Sequence, residues 1–412
     1  MKIGFVGLTH LGLNYLAATA QKNFNVAGFD LDANKVENYK NFNFEHKEPF
    51  LKQTIYKNKN KISFYSNLKK LKNFDLIFIS LDTTTNTKGK SDEKPLLKLI
   101  KKVIPNIKKN SNLIILSQVR PGFMRKIKFN KDRLYYQVET LIFGQAIKRA
   151  LKPERIIIGL KEKSSKISKN YNKFLKAFYC PIIKMNYESA ELTKISINVF
   201  LASSVTTSNV LARMCETISA DWSQISKALK LDRRIGQYAY LKPGLGISGG
   251  NLERDLFTIK TFMNKDRYGS NLISNFEDNS KYMKNWVVRK MKNKLTKNKI
   301  VGIFGLTYKD GTNSTKNSPS IDLIKKIKKN KTFVYDPNVN IKNLNKNLRQ
   351  VDNFKTLIVN SNILIFMTDW KNIDIIKKYM KRKNLRNTIV IDPYRLVDFK
   401  KNEFKEYITL GK

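Results

Sequence analysis

Two groups of residues have the types and spacing to do chemistry. The first is Gly7-Leu-Thr9-His10-Leu11-Gly12, which follows the apolar run Lys2–Gly7 and opens a helical pattern. A glycine-spaced turn between a strand and a helix is a phosphate cradle. Gly7 makes the tight turn, Gly12 lets helix and strand pack closely, and the helix N-terminus offers N–H groups and a favourable dipole. The template's middle glycine is Thr9 here, so a side chain stands where the backbone normally meets the pyrophosphate. Asp30 closes the next apolar run. A carboxylate there accepts hydrogen bonds from ribose hydroxyls and repels a 2′-phosphate, which selects NAD over NADP. The competing reading is a structural turn, with His10 as a helix-start residue.

The second group lies in Ser189–Ile218, a stretch without Gly or Pro that reads as one long helix. Lys194 and Asn198 are spaced i, i+4 and share a helix face. A buried lysine there can stabilise a developing alkoxide or move a proton, and the amide can hold a water or hydroxyl. The competing reading is a surface lysine and a capping asparagine. Further on, Pro243–Gly250 carries Gly244, Gly246, Gly249 and Gly250. Such a segment either brings backbone close to a ligand or forms a mobile loop.

The elements that must position these residues are of two kinds. Lys2–Gly7, Asn25–Asp30, Leu76–Leu81, Asn112–Ser117 and Arg155–Gly159 read as buried parallel strands with helical patterns between several of them. A second such pattern starts near Lys299, with strand candidates Ile300–Gly305, Thr332–Asp336, Ile363–Thr368 and Thr388–Asp392. The expected class is α/β: two Rossmann-like doubly wound domains joined by a long-helix region. The expected divisions are an N-terminal domain over 1–185, a helical centre over 186–295 and a C-terminal α/β domain over 296–412.

Composition bounds the rest. The chain has 412 residues, is 41% hydrophobic, and carries a formal charge of +46. Lysine is spread along the whole chain instead of clustering, which reads as a sequence-wide bias; a nucleic-acid footprint gathers on one face. Weak non-specific nucleic-acid binding at low salt is the expected by-product. No apolar run of membrane-spanning length and no three-part signal peptide is evident, so a cytoplasmic protein without membrane insertion is expected. Cys180 and Cys215 lack metal or redox spacing, so no metal is expected.

Several blocks in order resemble the nucleotide-sugar dehydrogenases (UDP-glucose/GDP-mannose dehydrogenase-like). They are Glu48-Pro49-Phe50-Leu51, Thr83–Asp92, Ser117-Gln-Val-Arg-Pro-Gly122, Lys152–Gly159, Ala190-Glu-Leu-Thr-Lys194 with Asn198, Asp232-Arg-Arg-Ile-Gly236, Gly305-Leu-Thr-Tyr-Lys309, Lys316-Asn-Ser-Pro319, Tyr335-Asp-Pro337 and Thr368-Asp-Trp370. The resemblance spans essentially the whole chain. It implies an N-terminal NAD domain, a helical dimerisation core that makes the protein a homodimer, and a C-terminal domain that holds UDP. It places NAD contacts at Gly7, Thr9, Leu11, Gly12, Asp30, Thr83 and Ser117. It places nucleotide-sugar contacts at Arg234, Gly244, Gly246, Gly249, Lys309 and Lys316.

In that family the sugar alcohol loses two hydrides to two NAD molecules, and a cysteine carries the intermediate as thiohemiacetal and thioester. The matching loop here is Gly244-Leu-Gly-Ile-Ser-Gly-Gly-Asn-Leu-Glu-Arg-Asp255. Anchored on Asp255, it puts Asn251 at the cysteine, and an amide is no nucleophile at neutral pH. Gln118 stands at a threonine that positions water. Glu139 matches the first glutamate of a two-glutamate segment, and Phe143 stands at the second. The catalytic set implied is therefore Lys194, Asn198, Asp255 and Glu139, with Asn251 in the thiol's place. The reading is an NAD-dependent oxidoreductase on the alcohol of a nucleotide-sugar, limited to two-electron oxidation. The alternative is a non-catalytic protein that binds NAD and nucleotide-sugar, or a partner subunit.

Overall fold

The computed structural model describes residues 1–46, 48–86, 89–341, 346–397 and 403–412. Thr87 and Lys88, within the Thr83–Asp92 block, lie outside the described residues. The chain divides into two compact units, Met1–Ile197 and Asn198–Lys412.

In the first unit the apolar runs become strands β1 (Lys2–Val6), β2 (Asn25–Phe29), β3 (Ile62–Tyr65) and β4 (Leu76–Ile79), a small hairpin β5 (Thr84–Thr85) and β6 (Ser91–Asp92), then β7 (Asn112–Ile115), β8 (Leu134–Gln137), β9 (Ile156–Leu160) and β10 (Ile182–Asn186). Eight of them form one sheet in the order β10-β9-β8-β7-β4-β1-β2-β3. Its inner strands are buried on both faces, as strands covered by helices on either side must be. The run at Arg155–Gly159 is corrected in one respect: β9 pairs parallel with β10 but antiparallel with β8. The connection between β8 and β9 forms the short helix Ala146–Leu151, which packs on the helix His10–Gln21. The chain therefore re-enters the sheet from the end at which it left.

The helix Tyr187–Ile218 runs for 32 residues and spans the boundary between the units. By length and composition it could cross a membrane. It nevertheless carries Glu188, Glu191, Lys194, Arg213 and Glu216. It buries Ala190 and Ile195 in its first part, and Ala202, Ala212 and Cys215 in its second.

Glu191 is fully buried and accepts the amides of Gly122 (2.6 Å) and Met124 (2.8 Å), holding the start of the helix Phe123–Lys126. Burial pushes its carboxyl up to about 7 against the pull of those two hydrogen bonds. A folded-state value above the unfolded one means that ionisation opposes folding. The wild type is therefore expected to lose stability relative to Glu191→Gln as pH rises from about 4.5 to 7, by on the order of 3 kcal/mol, with a constant difference above that. Urea unfolding of both proteins across this range checks it. Parallel curves would mean that Glu191 stays ionised throughout.

In the second unit, four helices, Trp222–Leu231, Asn251–Phe262, Arg267–Lys284 and Trp286–Met291, precede a sheet of β11 (Val301–Phe304), β12 (Thr332–Tyr335), β13 (Leu348–Gln350), β14 (Ile363–Phe366), β15 (Leu385–Ile391) and β16 (Phe404–Ile408). The order β13-β12-β11-β14-β15-β16 is all parallel. It is the doubly wound order in which the chain switches direction beside its first strand.

Candidate active site

The phosphate turn forms as its glycines require. Gly7 has φ +92°, and a Cβ on Gly12 would stand 2.3 Å from the Gly7 carbonyl oxygen, so the helix His10–Gln21 can approach β1 only with glycine there. Thr9 has an ordinary extended backbone, and its hydroxyl donates to the Ser80 carbonyl (2.9 Å). Its side chain is thus tied to the end of β4, and the substitution keeps the turn's conformation. Leu11 is a core residue, so only its backbone N–H, in the first helical turn, is available to an anion. Asp30 accepts the amides of Leu8 (2.9 Å) and Asp32 (3.2 Å), and Lys35 lies 3.4 Å from it. Thr83 donates to the Gln118 carbonyl (2.7 Å). Ser117 is fully buried, with its hydroxyl directed to the Ile79 carbonyl (3.3 Å). The turn, the open helix end and the carboxylate at the close of β2 fit a dinucleotide.

In the same unit the structure brings together two predicted residues whose pairing spacing did not reveal. Lys194, nearly buried, lies 2.7 Å from the Glu139 carboxylate, which also accepts the Leu141 amide (2.9 Å). The loop carrying Glu139 is held from a third place. The Glu48 carboxylate accepts the amides of Gly144 (3.0 Å) and Ala146 (2.8 Å) and bonds His10 Nε2 (2.9 Å). Burial pushes the Glu48 carboxyl up, yet the bonds from His10, Ala146 and Gly144 outweigh it and hold the group below its ordinary range. The His10 ring lies on Phe143, with centroids 4.2 Å apart. No local signal marks Glu48 as the clamp, since its partners are distant in sequence.

In the second unit, Asn198 donates its amide to Asp255 Oδ2 (2.5 Å), and Arg254 Nε donates to Asp255 Oδ1 (3.2 Å). Asp255 and Arg254 are buried. Asn251 is exposed and is the first residue of its helix. The glycine loop is not left mobile. Gly249 has φ +86° and packs so near the Tyr308 ring that a Cβ would meet it at 2.9 Å. Its N–H reaches the Lys316 carbonyl and its carbonyl accepts the Asn317 amide (3.1 Å). Gly246 also has positive φ, and the Gly244 amide donates to Asn209 (2.8 Å). The Lys316 ammonium lies over Gly250, and Lys309 is exposed. Arg234 stands apart, exposed and paired in two-pronged fashion with Asp232.

A dinucleotide turn on one doubly wound sheet, a second such sheet, and a lysine and asparagine on a shared helix define a two-sheet nucleotide-binding dehydrogenase architecture. Comparison with known proteins narrows the class. Residues 1–183 match the NAD binding domain of the UDP-glucose/GDP-mannose dehydrogenase family, 188–281 its central domain and 302–399 its UDP binding domain. The chain belongs to this family. It is 28% identical to a UDP-glucose 6-dehydrogenase of Rickettsia bellii, over 100% of this chain and 99% of the relative. It is 25% identical to the UDP-glucose 6-dehydrogenase TuaD of Bacillus subtilis, over 99% and 92%. In fold it resembles a UDP-glucose dehydrogenase from Pyrobaculum islandicum, with a TM-score of 0.85 and 22% identity over 100% and 97% of the two chains.

Proposed function

We propose that the chain is an NAD-dependent oxidoreductase that oxidises the alcohol of a UDP-linked hexose and stops after two electrons. The observation that carries this is the helix Tyr187–Ile218, on which Lys194 and Asn198, one turn apart, each hold a carboxylate, Glu139 at 2.7 Å and Asp255 at 2.5 Å. NAD, when bound, supplies the hydride acceptor. The Lys194 ammonium, held by Glu139, stabilises negative charge on the substrate oxygen as its proton passes to a water at Asn198. Asn198 spends one amide hydrogen on Asp255, which fixes its rotamer and leaves its Oδ1 and second N–H for a hydroxyl or water. Lys309, Lys316 and the glycine loop hold the nucleotide-sugar, with Lys316 as a point charge towards phosphate. Asn251 offers no nucleophile for a second oxidation. Turnover with NAD and a panel of UDP- and GDP-sugars, with products identified by mass, tests this. One NADH per aldehyde or ketone supports it, two per acid refute the two-electron limit, and none with both ligands bound favours a non-catalytic protein.

We further propose a cytoplasmic homodimer built on the centre, residues 186–295, with the nucleotide-sugar domain over 296–412. The long helix supports this through Phe200, Val210, Met214 and Ile218, which are all exposed in the single chain. Sedimentation equilibrium at micromolar concentration is expected to give twice the 47.9 kDa chain mass. Phe200→Glu with Met214→Glu is expected to give the single mass; a wild-type monomer refutes the dimer.

A further inference from the structure

We propose that His10 is a positioning residue that links the phosphate turn to the loop carrying Glu139, so that filling the turn also steadies the pair Glu139–Lys194. The catalytic role of that pair rests on the oxidoreductase reading above; the link itself lies in the geometry of the first unit. His10 opens the helix His10–Gln21 directly after Thr9, so its backbone belongs to the turn. The first amides of a helix have no partner within it, and an anion at its N-terminus engages them. His10 is fixed to that end. Its carbonyl accepts the Asn14 side-chain amide (2.7 Å), and Gly12 seats the helix against the Gly7 carbonyl. The His10 ring is buried, with Nε2 2.9 Å from Glu48 Oε2 and the Phe143 ring centroid at 4.2 Å. Glu48 is held below the usual carboxylate range, so at neutral pH it is an acceptor and His10 Nε2 carries the hydrogen.

Glu48 shares its two oxygens among three donors. Oε2 takes His10 Nε2 and the Gly144 amide, and Oε1 takes the Ala146 amide. One donor belongs to the helix of the cofactor turn, and two belong to the far end of the Glu139 loop. The near end of the loop is tied from the helix Ala146–Leu151, where Arg149 Nε donates to the Thr140 carbonyl (2.8 Å). That helix packs on His10–Gln21. Burial first, and the Glu139 charge next, push up the phenol of Tyr15 on the same first helix, so this helix lies beside Glu139 as well. Glu139 adjoins Thr140 and holds the Lys194 ammonium at 2.7 Å.

The consequence follows from what a buried carboxylate requires. The Glu48 side chain is shielded from water. Without the His10 N–H it lacks one of its donors, and its hold on the two loop amides loosens. An anion at the helix N-terminus acts in the opposite sense. It restricts the first helical turn, His10 with it, and through Glu48 the loop.

The test is hydrogen exchange read by mass spectrometry on the full chain, following residues 139–146 with and without saturating NAD. The wild type is compared with His10→Ala and His10→Gln; the glutamine amide can donate as Nε2 does, and alanine cannot. NAD is expected to slow exchange of this segment in the wild type. In His10→Ala the segment should exchange about tenfold faster, and NAD should no longer slow it. His10→Gln should restore most of both effects. In turnover, kcat for NADH formation should fall about tenfold in His10→Ala, with the NAD dissociation constant within about threefold, and should recover in His10→Gln. Unchanged exchange of the segment in His10→Ala overturns the proposal. So does a His10→Gln that behaves as His10→Ala, because the hydrogen bond is then not the link. Faster exchange spread equally over β1, β2 and β4 overturns it too, by making His10 a support of the whole sheet. A wild type that forms no NADH but keeps the exchange pattern retains the link and fails the oxidoreductase reading instead.

Discussion

Lys194→Ala is expected to lower kcat for NADH formation by about a thousandfold while leaving NAD affinity within about twofold. The two halves of that expectation rest on different contacts. Lys194 places its ammonium 2.7 Å from Glu139, and the Glu139 loop is anchored independently by Glu48 through Gly144 and Ala146. Removing the lysine therefore takes away a positive charge without releasing the loop. The dinucleotide turn is held by another set: Asp30 with Leu8, Asp32 and Lys35, and Thr9 with Ser80. None of these bonds includes Lys194 or Glu139. Lys194→Arg keeps the charge but replaces a compact ammonium with a wide planar fork, and should recover only a small part of the rate. Calorimetry with NAD, beside turnover of the sugar substrate found by the panel, separates the two effects. Unchanged turnover in Lys194→Ala would remove the residue from the mechanism. Equal losses of turnover and NAD affinity would make it a structural support of the cofactor turn.

The sequence disclosed those elements whose signal is local. Ile3-Gly-Phe-Val-Gly and Leu364-Ile-Phe-Met are continuous apolar runs because both faces of their strands are covered. β10, Ile182-Ile-Lys-Met-Asn, lies at the sheet edge and is largely exposed, so lysine interrupts its pattern and it passed unread. β8, Leu134-Tyr-Tyr-Gln, is buried, but at four residues it has no period long enough to distinguish it from a helical turn. β13 and β16 are short or half-exposed for the same reasons. At the site, Lys194 and Asn198 were legible because helical spacing is periodic. Glu139 and Asp255 were named only through the resemblance, and their pairing was not legible: each is more than fifty residues from its partner, and only the folded chain brings them together. His10 read as a helix-start residue and Phe143 as standing at a glutamate's place, and their ring contact is a tertiary fact.

Asn251→Cys is expected to convert the protein, given NAD and the aldehyde product, into one that releases a single burst of about one NADH per chain and then stalls. Wild type should give none. The argument begins with the position. Asn251 is exposed and opens the helix Asn251–Phe262 directly after Gly250, so a thiol there meets the positive end of a helix dipole. Lys316 lies over the preceding Gly250 and adds a second positive influence. Both lower a thiol's pKa and raise its thiolate fraction near neutral pH. A thiolate adds to the aldehyde carbon to give a thiohemiacetal; loss of hydride to NAD leaves a thioester on the enzyme. Intact-protein mass spectrometry should then show the sugar nucleotide's acyl mass added at residue 251. Completing the cycle needs a placed water, and the residues that resemblance assigns to that task are Gln118 and Phe143. Gln118 carries a longer amide where the resemblance expects a hydroxyl, while Phe143 is an aromatic ring packed against His10 and can neither orient nor deprotonate water. The acyl-enzyme should therefore persist. Continuous NADH release would mean that hydrolysis needs neither position. The absence of both burst and adduct, in a folded variant that still forms aldehyde, would show that residue 251 does not face the reacting carbon, and the two-electron limit would need another cause.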